Sequence, residues 1–175
     1  QTPWFPLAGD GAAANVGSGC VTPQRIALSV GTTTALRAVT GDADFVVPAG
    51  LWCYRVDSRR SLPGGALSEG GSVYGWLRGA LRLGEPDQVE AALAERPPDG
   101  HGLTVLPFFA GERAPGWAGH ARATIHGLSL AATPLDILQA GLEAVAYRIA
   151  LVYQRLRAVL PGEPQIVASG GAPMG

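Results

Sequence analysis

One carboxylate, Asp10, lies within a segment of glycine and alanine that covers residues 7–19. An aspartate beside an alcohol can accept the hydroxyl proton during phosphoryl transfer, where catalysis comes mostly from positioning and charge stabilisation. The small residues at positions 11–14 would let a substrate or a second domain approach closely. The alternative is that Asp10 only caps backbone amides in a turn, as aspartate often does. The segment therefore predicts a candidate general base and leaves the turn role open.

A second candidate is the sequence Gly31-Thr32-Thr33-Thr34, which lies between two apolar runs rich in β-branched residues. Such runs, here residues 26–30 and 33–39, predict a β-hairpin with a tight turn at Gly31-Thr32. The amides and threonine hydroxyls of this turn could donate hydrogen bonds to phosphate oxygens, provided that a metal ion shares the charge. Threonine is also favoured in strands, so the motif equally fits a purely structural hairpin.

Glycines near the end of the chain form a third candidate. Gly170-Gly171-Ala172 follows a predicted strand over residues 165–169, and glycine lets a backbone approach a flat ligand such as adenine. Glycines also simply make turns. The three histidines, His101, His120 and His126, are far apart in the sequence, so we expect each to be isolated and non-catalytic, and we expect no metal site built from them.

The composition limits the possible functions. With 175 residues, of which 47% are hydrophobic, the chain can bury a core and is expected to form one domain. A formal net charge of −1 argues against a nucleic-acid or anionic-lipid surface, and no apolar run is long enough for a membrane helix. All 13 basic residues are arginine, which excludes chemistry that needs a lysine. Cys20 and Cys53 are expected to be reduced structural thiols, which predicts a cytoplasmic protein.

The pattern of apolar residues predicts an α/β domain with a mixed sheet that carries an antiparallel edge. The predicted helices cover residues 12–16, 71–83, 86–94 and 134–160, and the last of them has Thr133 as its N-cap. Besides the hairpin and residues 165–169, strands are predicted at 45–48, 51–56 and 103–109, and a strand or short turn at 122–130. Residues 61–71 are expected to form a loop and residues 111–121 an irregular excursion. Both ends of the sequence look like cuts, so we expect it to be part of a longer protein.

Taken in order, these motifs resemble the C-terminal half of the FGGY carbohydrate kinases, and in particular the gluconokinase-like members. The resemblance covers nearly the whole chain. It is carried by Gly9-Asp10-Gly11, by residues 29–33, 107–115, 125–128 and 142–148, and by Ser169-Gly170-Gly171-Ala172.

This resemblance implies a ribonuclease-H-like domain of the actin and hexokinase superfold, with a mixed β-sheet and flanking helices, here apparently truncated. Residues 1–20 would join it to a missing N-terminal sugar-binding domain. Residues 21–175 would be the ATP-binding C-terminal domain, incomplete at its C-terminus. By the same comparison, the isolated segment should be inactive. The sequence leaves open whether the parent protein forms a homo-oligomer.

The resemblance also implies a reaction. Asp10 would deprotonate a hydroxyl of a sugar or sugar acid, which then attacks the γ-phosphate of Mg-ATP. Gly31, Thr32 and Thr33 would hold the phosphates, and Gly170, Gly171 and Ala172 would flank the adenosine, with ATP and Mg²⁺ as cofactors and no protein ligand assigned to the metal. Gluconate is favoured as substrate, with xylulose-type sugars next. Two alternatives stay open: a non-catalytic nucleotide- or partner-binding domain of the same superfold, and a purely structural α/β domain.

Overall fold

The computed structural model of the chain describes residues 2–3, 8–42 and 44–171. Four helices and seven strands are present in these ranges. The helices are α1 (Asp10–Gly17), α2 (Gly71–Ala80), α3 (Pro86–Ala94) and α4 (Pro134–Arg157). The strands are β1 (Arg25–Val30), β2 (Thr34–Ala38), β3 (Trp52–Arg55), β4 (Ser61–Leu67), β5 (Thr104–Leu106), β6 (Thr124–His126) and β7 (Gln165–Ser169). Ala172, one of the candidate site residues, lies outside the described residues.

Five strands form one mixed sheet in the order β3-β4-β2-β1-β7. The predicted hairpin is confirmed, because β1 and β2 pair antiparallel with Val30 opposite Thr34. Strand β7 adds to the free edge of β1 in the parallel direction, with Ser29 opposite Ser169. The predicted mixed sheet is thus confirmed, but within the described residues antiparallel pairing dominates the sheet and the parallel pair forms one edge.

The prediction of a loop at residues 61–71 is wrong, since residues 61–67 form the strand β4 between β2 and β3. Gly64 and Gly65 in this strand are required by close packing. A Cβ on Gly65 would lie 2.7 Å from Cγ1 of Val152 on α4, and one on Gly64 would lie 2.4 Å from the carbonyl oxygen of Leu36. Conversely, the strand predicted at residues 45–48 is not formed.

Helix α4 confirms the predicted long helix, although it ends at Arg157 and not at residue 160. Thr133 and Asp136 form a capping box, in which each side chain accepts a hydrogen bond from the other residue's backbone N–H. The inward face of α4, including the fully buried Val152 and Leu156, packs against Ile26, Leu36 and Leu67 of the sheet. Burying each such side chain contributes about 1.5–3 kcal/mol, so this face anchors the domain.

Helix α1 covers the opposite face of the sheet from α4. Neighbouring residues of a strand point to opposite faces. Leu36 of β2 shares the face of its partner Gly65, against which α4 packs. The next residue, Arg37, therefore lies on the other face, where it meets Gly11 of α1.

Residues 103–109 were predicted to form one buried strand, and this is wrong in part. Only Thr104–Leu106 is extended, and it pairs with β6 in a separate two-stranded sheet. Leu106 is 47% exposed, whereas the buried residues of this run, Leu103, Pro107 and Phe108, lie on either side of the strand. Within the described residues, no helix combines the length and the apolar composition needed to cross a membrane.

Candidate active site

The hairpin turn and the end of β7 lie at the same edge of the sheet, because β1 and β7 run parallel and end together. Gly170, directly after β7, has a φ of +109°. A Cβ at this position would lie 2.1 Å from the carbonyl oxygen of Val30, so the turn accepts only glycine here. The sheet therefore brings together two glycine-containing turns that are about 140 residues apart in the sequence.

A pocket of about 1070 Å³ opens beside these two turns. Glycines form one end of it, namely Gly31, Gly70, Gly71 and Gly171, together with Thr32. Apolar side chains of α4 also line it, among them Leu142, Val145 and Ile149. A pocket that combines apolar side chains with accessible backbone suits a ligand with a flat ring and a polar tail, such as a nucleotide.

The hairpin turn is fixed by the start of α2. The N–H of Gly71 donates to the carbonyl oxygen of Gly31 at 2.7 Å, and the N–H of Ser72 donates to that of Thr32 at 3.1 Å. The N–H of Gly31 is also engaged, since it donates to the carbonyl oxygen of Thr33 at 3.0 Å. Gly31 therefore leaves room for a ligand, but its N–H is already used in a hydrogen bond. Hydrogen bonds to phosphate would come from Thr32 and Thr33, which are both exposed.

Gly70 and Gly71 are not among the predicted site residues, because they lie where the predicted loop over residues 61–71 meets the predicted helix over residues 71–83. A Cβ on Gly70 would lie 2.8 Å from the carbonyl oxygen of Gly31, so the start of α2 can reach the hairpin turn only without a side chain. A Gly-Gly pair directly before a helical pattern was the available sequence signal.

Helix α1 is longer than the predicted helix over residues 12–16, and Asp10 is its first residue, with Gly9 as the N-cap. Its Oδ1 accepts a hydrogen bond from the N–H of Gly11 at 2.7 Å. A negative charge is favourable at a helix N-terminus. Asp10 is exposed and does not line the nucleotide-sized pocket, so the structure groups the two turns and places the candidate base on a separate element.

A buried charged cluster lies behind the start of α2. Glu69 is only 2% exposed, and neither carboxylate oxygen has a hydrogen-bond partner among the described residues. Burial raises the pKa of the Glu69 carboxyl, while the positive charge of Arg148 opposes that rise. Arg148 forms an ion pair with Glu112 and also donates to the carbonyl oxygen of Ala114 at 3.1 Å. Arg148 thus joins α4 to the irregular segment 111–121, which is confirmed as irregular.

His101 is not isolated, contrary to expectation. Its Nδ1 accepts a hydrogen bond from the N–H of Leu103 at 3.0 Å, so in a neutral ring Nε2 carries the proton. Nε2 lies 3.2 Å from Oε2 of Glu143. Asp99 completes a group whose potential ligand atoms lie within 4.8 Å of one another, but the Glu143 oxygens already accept from the Asp99 N–H and from Gln139. Through these hydrogen bonds, Glu143 of α4 binds residues 99–103 to the helix.

Comparison with known proteins places these features in a family. Residues 26–173 match the C-terminal domain of the FGGY family of carbohydrate kinases. A gluconokinase from Bacillus subtilis (strain 168) is 31% identical over 183 residues, which cover 98% of this chain and 36% of that protein. A glycerol kinase from Albidiferax ferrireducens is 34% identical over 154 residues, covering 86% of this chain and 31% of that protein.

Solved structures agree with the sequence comparison. A gluconate kinase from Lactobacillus acidophilus superposes with a TM-score of 0.81 at 26% identity, covering 93% of this chain and 33% of that one. A xyloylose kinase from Brucella ovis gives a TM-score of 0.83 at 27% identity and covers 95% of this chain and 34% of that one. The chain spans about a third of the length of these relatives. With the mixed sheet, the flanking helices and the matched residues in agreement, the chain belongs to the FGGY carbohydrate kinases and corresponds to their C-terminal domain.

Proposed function

We propose that the protein carrying this chain transfers the γ-phosphate of ATP to a hydroxyl of a sugar or sugar acid. The observation that carries the proposal is the pairing of β1 with β7, which brings Thr32 and Gly171 to one pocket that is large enough for a nucleotide. On this proposal, residues 21–175 form the nucleotide-binding domain, and residues 1–20 connect it to a sugar-binding domain. The protein would act in the cytoplasm, where ATP is available.

The proposed reaction assigns one role to each candidate residue. The carboxylate of Asp10 accepts the proton of the substrate hydroxyl, and the hydroxyl oxygen attacks the γ-phosphorus while the bond to the ADP oxygen breaks. Thr32 and Thr33 donate hydrogen bonds to the phosphates. Gly170 and Gly171 let the backbone approach the adenosine. Mg²⁺ enters with ATP and shares the phosphate charge, which suits a turn that has only neutral donors.

We propose gluconate as the first substrate to test. The relative named gluconokinase covers 98% of this chain, and a solved gluconate kinase covers 93%. Relatives named glycerol kinase and xylulose kinase make glycerol and xylulose the next candidates.

The test is a coupled ADP-release assay on the protein at its full encoded length, with Mg-ATP and each of these three substrates. We expect ADP release that depends on the sugar, and a loss of kcat of at least about 100-fold in Asp10→Asn. The dissociation constant for ATP should not change. Asp87→Asn is the matched control, because Asp87 is an exposed carboxylate in the first turn of α3 and should leave kcat unchanged.

Two results would contradict the proposal. Full activity in Asp10→Asn would remove Asp10 from the reaction. Tight ATP binding without ADP release on any of the three substrates would favour a nucleotide-binding domain without catalysis.

A further inference from the structure

Arg37 lies beside the candidate base although 27 positions separate the two residues in the sequence. It belongs to β2, where it pairs with Ala27 on one side and Gly64 on the other. Its side chain extends over the face of the sheet that α1 covers, and it is half-buried there. The sequence alone gave no reason to connect a strand arginine with Asp10.

The guanidinium of Arg37 lies against the backbone of the first turn of α1. A Cβ on Gly11 would be 2.9 Å from Nε and 3.3 Å from Cζ of Arg37, so a residue with a side chain at position 11 would displace the guanidinium. One turn further along the helix, Nδ2 of Asn15 donates to the carbonyl oxygen of Arg37 at 3.2 Å. Arg37 therefore holds the start of α1 with its side chain and the middle of α1 with its backbone.

The charges of the two groups interact without direct contact. Burial lowers the pKa of Arg37, and the negative charge of Asp10 opposes this change, with a further contribution from Tyr54. Within the described residues, Arg37 and Asp10 form no ion pair, and the hydrogen bond that Asp10 accepts comes from Gly11. Within the described part of the chain, one carboxylate oxygen of Asp10 accepts no hydrogen bond, and the positive charge of Arg37 lies nearby.

We propose that Arg37 is a positioning residue for Asp10: it fixes the first turn of α1, and its positive charge draws the carboxylate into place. The inference rests on the proposed role of Asp10 as the base. A planar guanidinium can pack flat on a peptide group, which the compact ammonium of lysine cannot reproduce. Placement within a fraction of an ångström matters, since a displacement of about 1 Å can reduce a rate about 100-fold.

The experiment compares Arg37→Met and Arg37→Lys in the protein at its full encoded length, using the ADP-release assay. We expect Arg37→Met to lower kcat by about 10- to 100-fold, with KM for ATP and for the sugar changed less than about two-fold. Arg37→Lys should recover part of the loss because it restores the charge. In an Asp10→Asn background, Arg37→Met should cause no further loss of the residual rate, because the group through which it acts is gone.

A second pair of variants tests the geometry without removing the charge. Gly11→Ala inserts a methyl group against the guanidinium, and we expect it to lower kcat although alanine favours a helix. Gly17→Ala is the control, because it changes the same helix at a position with no atom within 4 Å of the added Cβ. This pair decides the question if Arg37→Met fails to fold.

The outcomes separate this inference from the proposed function. Independent losses from Asp10→Asn and Arg37→Met in the double variant would overturn the positioning role. A raised KM for the sugar with an unchanged kcat would also overturn it, because Arg37 would then be a substrate ligand. Equal activity of Gly11→Ala and Gly17→Ala would also overturn it. Full activity of Asp10→Asn would instead refute the role of Asp10 itself.

Discussion

Replacing Gly65 by alanine should destabilise the domain, although alanine is normally better than glycine inside a strand. The added Cβ would lie 2.7 Å from Cγ1 of Val152, 3.0 Å from Cδ2 of Leu51 and 3.1 Å from Cβ of Ala114. Non-bonded carbon atoms prefer a separation of about 3.5–4.0 Å, so β4 and α4 would have to move apart by about 1 Å. The three neighbouring side chains belong to different segments and surround the added methyl group, so a rotamer change in one of them does not relieve the overlap.

The size of the effect follows from two opposing contributions. Overpacking a core costs about 1–3 kcal/mol, and the lower backbone entropy of alanine in the unfolded chain returns about 0.5–1 kcal/mol. The free energy of unfolding should therefore fall by about 1–2 kcal/mol. For a domain of this length, that corresponds to a decrease in Tm of roughly 2–8 °C.

The assay is thermal unfolding of the protein at its full encoded length, followed by tryptophan fluorescence. Gly79→Ala is the matched control, because Gly79 lies in α2 with no atom within 4 Å of an added Cβ. Alanine is better than glycine by up to about 1 kcal/mol in a helix, so the control should be as stable as the wild type or more stable. A Gly65→Ala protein as stable as the Gly79→Ala protein would refute the packing explanation of the glycines in β4.

Three further predictions concern charges and turns. Glu69→Gln should raise stability at pH 8 more than at pH 4, measured by urea unfolding, because burial disfavours the ionised carboxylate that forms as the pH rises. Thr133→Ala should cost about 1 kcal/mol at pH 7 in the same assay. Thr133 holds the pKa of Asp136 at about 2, so this loss should shrink as the pH falls from about 4 towards 2. Gly170→Ala should weaken ATP binding by calorimetry more than Gly171→Ala, because only the first would collide with the backbone of β1.

Each of these has a contradicting result. A pH-independent effect of Glu69→Gln would mean that the pKa of the Glu69 carboxyl is no higher in the folded protein than in the unfolded chain. A constant loss in Thr133→Ala down to pH 2 would show that the cap does not depend on the ionisation of Asp136. Equal ATP affinities for the two glycine variants would remove the strained turn from the nucleotide site.

The hairpin and α4 could be predicted from the sequence because their signals are local and agree with one another. In the hairpin, β-branched runs flank a turn. In α4, the N-cap Thr133 precedes a repeating apolar stripe. Strand β4 could not be predicted, because Pro63-Gly64-Gly65 has low strand propensity. Gly65 reflects the close approach of α4, and Gly64 reflects the close approach of Leu36 and Trp52, and both contacts form only in the folded chain.

Local motifs in the sequence point to three residues that line the pocket, Gly31, Thr32 and Gly171, but not to Gly70 and Gly71. The sequence does not show that strand pairing brings these residues to one pocket. Arg37 was not proposed, because nothing local distinguishes it from the other arginines. The contact with Gly11 depends on α1 crossing β2, and its sequence signal was only the absence of a side chain at position 11.

The two hydrogen bonds from α2 to the hairpin turn have a consequence for motion. The N–H groups of Gly71 and Ser72 can exchange with solvent only when they separate from the carbonyl oxygens of Gly31 and Thr32. Opening the turn and fraying the first residues of α2 are therefore one event. Hydrogen–deuterium exchange at these two amides would report how often the turn opens, and a nucleotide that stabilises the turn would slow exchange in a helix that begins about 40 residues later in the sequence.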